Sequence, residues 1–153
     1  MDVRKQIMSL NKLSHVWSEV NRRYKAQGME ILGGFSTSIV PALNSSPFNY
    51  IREGSLLKST SGGIANDEAN FLYLMCELYE PKNILVIGNS YGFSMTFLSL
   101  ANPDAKVIGF DKFRTNGIEV TKNLIKDLNN KWVVKGSTPD DIPKLTETYL
   151  DGS

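Results

Sequence analysis

The sequence has 153 residues, 41% of them hydrophobic and 22% charged, with 17 Lys plus Arg against 16 Asp plus Glu. That length carries one domain with its own core and excludes two of full size, and the near-balance of charge excludes a bulk field aimed at nucleic acid or an acidic membrane. A single cysteine, Cys76, excludes an internal disulfide framework and a cysteine-built zinc site.

From Asp2 to about Gln27, Val3, Ile7, Leu10, Leu13, Val16, Trp17, Val20 and Tyr24 recur at spacings of three and four. This period predicts one long amphipathic helix that stops at Gly28. Such a helix either covers the main body or serves as a dimerisation arm. His15 reads as a helix-surface histidine, and Arg22, Arg23 and Lys25 as a solvated face. Asp2, Arg4, Lys5 and Lys12 interrupt the apolar positions, unlike a signal peptide, and nothing in the chain approaches the roughly 18 apolar residues of a membrane span. A reducing cytoplasm is the expected location.

Residues 33 to 63, rich in Gly, Ser, Asn and Pro, read as irregular chain. A connection of that length is a lid or a disordered linker, and Phe48, Tyr50 and Ile51 favour an ordered lid. The expected organisation is therefore a helical segment over 1–32, this lid or linker over 33–63, and an α/β body over 64–153.

In the body, Asn66 suits a helix N-cap, with Asp67 and Glu68 in the first turn. The apolar run Phe71, Leu72, Met75, Leu78 and Tyr79 carries the helix to a stop at Pro81. Cys76, among Leu74, Met75 and Leu78, reads as a buried small hydrophobe. Ile84 to Ile87 then reads as a strand, apolar at four consecutive positions as in a strand covered on both faces. A helix from Gly92 to Ala101, a turn at "NPDA", a strand "KVIGFD", a helix over Gly117 to Leu128, a strand "KWVVK" and a short helix over Pro143 to Leu150 follow. Strand alternating with helix predicts a doubly wound parallel sheet, Rossmann-like.

The chemistry concentrates at the carboxyl ends of these strands. Gly88 and Gly92 permit a sharp turn and close backbone approach, and the amides of Asn89 to Ser94 at a helix start offer donors to an anionic group. Asp111 ends the next strand, 23 residues after Gly88, near the ~20-residue offset at which a carboxylate meets ribose hydroxyls. Its plain alternative is a turn-forming aspartate. Gly136, Ser137 and Thr138 form a third small-residue loop at the same edge, suited to an adenine. The spacing departs from Gly-x-Gly-x-x-Gly, which argues against a dinucleotide and for an adenosine joined to an amino acid.

The stretch from about Ser61 to Leu150 resembles the first half of class I S-adenosylmethionine-dependent methyltransferases, most closely the catechol O-methyltransferase-like enzymes that act on small molecules. "PKNILVIGNSYGFS" is similar to their first motif, "VIGFD" to their second, "VVKGSTPDDIPKL" to the segment after their third strand, and "SGGIANDEANFLYLM" to the helix before their first strand. The resemblance implies that Gly88, Asn89, Ser90, Tyr91, Gly92 and Ser94 surround the methionine part of S-adenosylmethionine. It further implies that Asp111 holds the ribose with Lys112 beside it, that Ser137, Thr138 and Pro139 lie along the adenine, and that Ser61 and Gly62 close over the donor. S-adenosylhomocysteine would be the product and a small molecule the methyl acceptor.

Two positions depart from the family pattern. Val86 stands where the family carries an acid against the methionine ammonium. The strands that bear the family's metal ligands, catalytic base and acceptor pocket lie beyond the matching stretch, with "YLDGS" read as a helix end, so catalytic residues and metal dependence are not assigned. Residues 64–153 are then expected to be a partial, apparently truncated S-adenosylmethionine-binding domain. Its strand order, 3-2-1, leaves Ile84 to Ile87 on an open edge. A second copy, a partner chain or further sequence of a longer protein would cover it. The competing functions are a non-catalytic adenosyl-ligand or interaction module and a nicotinamide enzyme.

Overall fold

The computed structural model describes residues 3–33, 48–58, 63–112, 116–137 and 139–150, with side chains from residue 8 onward. The chain divides into two compact units, Met1–Glu80 and Pro81–Ser153. No helix among the described residues is long and apolar enough to cross a membrane.

The first unit is built from helix α1 (Val3–Ala26), strands β1 (Met29–Gly33), β2 (Asn49–Glu53) and β3 (Leu56–Leu57), and helix α2 (Asn66–Tyr79). The 3.6-residue period of α1 buries Val16, Val20 and Tyr24, but Leu10 stays 64% exposed and drops out of the expected stripe. Gly28, at φ +72°, ends the helix in the left-handed region that disfavours other residues. On α1, Arg23 is not a solvated cation: its Nε donates to Glu19 at 2.8 Å and its side chain is only 10% exposed. Trp17 Nε1 donates to Asn70 Oδ1 at 2.9 Å, and the Tyr73 hydroxyl donates to the Ser9 carbonyl at 3.0 Å, tying α1 to α2.

Composition suggests irregular chain after Gly33, yet the described part forms an antiparallel sheet in the order β1-β2-β3. In β2, Asn49 and Ile51 point inward and alternate with Tyr50 and Arg52, the period-two pattern of a half-buried strand. A two-residue connection, Gly54–Ser55, joins Glu53 to its partner Leu56, with Gly54 at the positive φ of +57° that tight hairpins require. Helix α2 begins one residue earlier than its sequence suggests. Ala65, not Asn66, is the N-cap, because Glu68 reaches back to accept the Ala65 N–H at 2.7 Å. Its buried side chains are Ala69 and Tyr73, whereas Phe71, Leu78 and Tyr79 of the expected apolar run are exposed. Cys76 is half-buried, not a core residue.

The second unit alternates strand and helix: β4 (Asn83–Ile87), α3 (Phe93–Ala101), β5 (Lys106–Asp111), α4 (Gly117–Ile125), β6 (Lys131–Lys135) and α5 (Ile142–Leu150). Its strands pair in parallel in the order β4-β5-β6, the Rossmann-like arrangement that the alternation predicts. Helix α4 ends three residues early, where the Leu128 N–H turns onto the Ile125 carbonyl at 2.9 Å. The strand covered on both faces is β5, with Val107, Ile108 and Phe110 at 0–1% exposure. It has a neighbour on each side. Among the described residues β4 has one, and its run of apolar residues ends in Ile87 at 58% exposure.

Candidate functional site

The carboxyl ends of β4 and β5 meet at the loop of residues 88–92. Gly88, Ser90 and Gly92 take φ values of +81°, +46° and +86°, so the backbone coils tightly before α3. The Gly88 N–H extends the ladder by donating to the Phe110 carbonyl at 3.0 Å, and the Gly92 N–H closes the turn on Asn89 O at 2.8 Å. Ser90 is the one residue of the three with a Cβ, and its left-handed backbone stores about 1 kcal/mol or more of strain. Its N–H donates to Asp111 Oδ2 at 2.7 Å. The 23-residue separation of Gly88 from Asp111 thus becomes a direct contact between the loop and the carboxylate.

Beneath the loop lies a polar clasp. Asn89, 4% exposed, donates from Nδ2 to the Ser90 carbonyl at 2.9 Å and to Thr121 Oγ1 at 2.8 Å. The Thr121 hydroxyl in turn donates to the Gly117 carbonyl at 2.8 Å. Gly92 fits because it lacks a side chain: a Cβ there would lie 2.3 Å from Thr121 Oγ1. Thr121 is a residue that sequence reasoning did not select. A threonine four residues into a helix ordinarily signals only a bond back to its own turn. Tyr91 is also buried, and its hydroxyl reaches Asn116 Oδ1 at 3.3 Å.

The side chains of Asn89 and Tyr91 are therefore committed inside the unit. Outward, the loop offers its main chain, the half-buried Ser90 and Ser94, and the half-buried Asp111. At Gly88 an added Cβ would meet nothing within 4 Å, so the backbone there borders open space. Asp111 uses one oxygen on Ser90, and a carboxylate has about four lone-pair positions, which leaves capacity for hydroxyl donors. Beside it, Gly136 N–H donates to the Asp111 carbonyl at 3.0 Å, which brings the third loop to the same edge. Asp141 Oδ2 accepts the Ser137 N–H at 2.8 Å and fixes that loop's entry into α5. Lys112 and Pro139 are exposed. Ser61, Gly62 and Thr138 lie outside the described residues. No group of three or more His, Cys, Asp or Glu among the described residues could hold a metal ion.

Residues 51–142 match a family model described as O-methyltransferase. A search of curated proteins finds no significant match. Among solved structures, the chain is similar to a protein assigned as a caffeoyl-CoA O-methyltransferase from Staphylococcus aureus, with 16% identity, a TM-score of 0.49, and coverage of 55% of this chain and 41% of that one. It is also similar to an O-methyltransferase from Bacillus cereus in complex with SAH, with 20% identity, a TM-score of 0.48, and coverage of 55% and 40%. The chain thus spans about two fifths of the length of these structures.

Proposed function

Because the chain belongs to the O-methyltransferase family, we propose that its second unit holds S-adenosylmethionine at the loop of residues 88–92 for methyl transfer to an oxygen of a small molecule. The contact of the Ser90 N–H with Asp111 Oδ2 at 2.7 Å carries this reading, because it sets a bare main-chain turn and a carboxylate side by side before any ligand arrives. Asp111 accepts the ribose hydroxyls, and the main chain from Gly88 to Gly92 borders the methionine part. Ser90 and Ser94 add hydroxyls there, while Asn89 and Tyr91 act from beneath by fixing the loop. Lys112 stands beside the ribose, and Ser137, Thr138 and Pro139 line the adenine. Ser61 and Gly62 belong to the same proposal as residues that close over the donor.

When bound, the donor supplies an electrophilic methyl group on a sulfonium sulfur. The residues named here contribute binding and alignment, since a held donor turns a bimolecular encounter into an oriented one. A small-molecule acceptor, a cytoplasmic location and self-association through the open edge of β4 are parts of the proposal that solution mass and fractionation address.

Calorimetry with S-adenosylmethionine, S-adenosylhomocysteine and NAD tests the reading. Adenosyl-ligand binding is expected, with loss of the signal in Asp111→Ala. NAD affinity with no response to either adenosyl ligand would remove it. Val86, buried at 8% exposure where the family carries an acid, favours a second reading in which the chain holds the adenosyl ligand without transferring a methyl. A charge-assisted partner of the ammonium is worth roughly 1.5–3 kcal/mol. Val86→Glu is then expected to tighten S-adenosylhomocysteine binding if the chain retains the family's binding mode.

A further inference from the structure

Away from the loop of residues 88–92, the second unit has a cleft of about 670 Å³ along β6. It is lined by Ile118 and Lys122 of α4, by Lys126 at that helix's C-cap, by Tyr149 of α5 and by all five residues of β6. Among the described residues β6 pairs with β5 alone, which leaves its other edge open beside the cleft that all five of its residues line. The hydrogen bonds at the two ends of the strand fix which backbone groups point there. Val107 N–H donates to Asn130 O, and Gly136 N–H donates to Asp111 O, so even-numbered residues of the strand turn their backbone groups toward β5. Alternation along the strand leaves the N–H and C=O of Lys131, Val133 and Lys135 on the open edge.

The lining combines one acid, Glu119, with Lys122, Lys126, Lys131 and Lys135. Lys131 is committed: its Nζ donates to the Pro103 carbonyl at 3.0 Å and to the Ala105 carbonyl. Lys122 bridges to Glu119 at 2.7 Å. Lys126 and Lys135 are exposed and set the sign of the cleft. Trp132 and Tyr149, ring centroids 5.4 Å apart at 44°, give it an apolar wall.

We propose that this edge accepts an extended acidic peptide segment as an added strand. The outward backbone groups at Lys131, Val133 and Lys135 would supply main-chain hydrogen bonds, and the lysines would select against basic sequence. A second copy of β6 does not fit. A second copy would bring another cleft with four lysines and one acid against this one, so the excess charges of the two would repel. Edge lysines commonly guard a strand in this way. An acidic strand converts the same guard into attraction. A nucleic acid is the weaker candidate, because Lys126 and Lys135, with Lys122 paired to Glu119, neutralise too few phosphates for appreciable affinity.

The probe is acetyl-Thr-Glu-Val-Glu-Val-Glu-Thr-amide, titrated into the full chain with Trp132 fluorescence read in a Trp17→Phe background. Saturable binding is expected, together with hydrogen-exchange protection of the Val133 and Lys135 amides and about tenfold weakening in the Lys126→Glu, Lys135→Glu double variant. N-methylation of one alternate set of peptide residues should abolish binding, and methylation of the other set should leave it intact. This comparison changes only the peptide, and read by calorimetry on the unsubstituted chain it does not depend on any variant folding. No saturable binding, an equal response to the Lys-for-Glu peptide, an equal response to oligothymidylate, or equal sensitivity to both methylation patterns would each overturn the proposal.

Discussion

Replacing Gly92 by alanine tests whether the loop of residues 88–92 is held by packing against α4. Two penalties combine at this position. The residue sits at φ +86°, where an added Cβ costs roughly 1–2 kcal/mol. That Cβ would also lie 2.3, 2.8 and 2.9 Å from Oγ1, Cγ2 and Cβ of Thr121. Thr121 cannot swing aside cheaply, because it is fully buried and its hydroxyl holds Asn89 and Gly117. Overpacking of this kind costs roughly 1–3 kcal/mol, so Gly92→Ala should lose about 2–5 kcal/mol in all, a large share of the 5–15 kcal/mol by which a domain is stable. Urea unfolding followed by Trp132 fluorescence in a Trp17→Phe background measures it. Thr121→Ala removes two of the three clashing atoms. In that background the penalty of Gly92→Ala should fall by about 1 kcal/mol or more. A loss below about 0.5 kcal/mol, or one that is unchanged in the Thr121→Ala background, refutes the account.

Thr121→Val keeps the shape but gives Asn89 Nδ2 no acceptor at that end, and should cost roughly 1–3 kcal/mol by the same assay. In the first unit, a Cβ at Gly33 would fall 1.9 Å from the Phe48 carbonyl oxygen at φ +103°; Gly33→Ala should therefore break the end of the β1–β2 ladder, read as faster hydrogen exchange in β2. The hydrogen bond from Arg22, together with Arg23, holds Glu19 at about 2, below its ordinary 4.5. A depressed folded-state value means that this stabilisation is complete above pH 4.5 and disappears as pH falls toward 2. Solvent screening limits it to about 1 kcal/mol. Glu19→Gln should flatten that limb of the melting temperature against pH, and parallel curves for variant and wild type would show that the ion pairs contribute nothing.

The second unit was legible because its strands alternate regularly with helices and its turns carry Gly, Asn and Pro. β5 and β6 match their expected limits, and α3 differs only in that Gly92 serves as its N-cap. The antiparallel sheet of the first unit was not legible. Its strands are two to five residues long, and Gly33, Asn49, Gly54 and Ser55 look like punctuation until the pairing is known. Helix α2 misled for another reason: apolar residues occupy most of its circumference, so its sequence cannot say that Ala69 and Tyr73 are buried while Phe71 and Leu78 are not. At the candidate site, Gly88, Gly92 and Asp111 could be found from spacing alone. Thr121 could not, since its partner Asn89 is 32 positions away and the bond exists only after the loop has coiled.

Ser90 and Asp111 form one device in which stability and ligand binding are separable. The left-handed backbone at Ser90, φ +46°, costs about 1 kcal/mol or more. A hydrogen bond to an ionised acceptor contributes roughly 1.5–3 kcal/mol, enough to offset that strain. Asp111→Ala removes the acceptor and should loosen the loop as well as any ribose contact, so loss of binding in that variant alone does not say which mattered. Asp111→Asn keeps an oxygen for the Ser90 N–H but replaces the second carboxylate oxygen with a donor that opposes ribose hydroxyls less favourably. It should retain stability to within about 1 kcal/mol and still lose S-adenosylhomocysteine affinity. Ser90→Gly relieves the strain directly, and in that background Asp111→Ala should cost less stability than it does alone. If Asp111→Asn instead unfolds the unit as much as Asp111→Ala while binding follows stability, the aspartate is a turn-former, and the ribose role assigned to it is wrong.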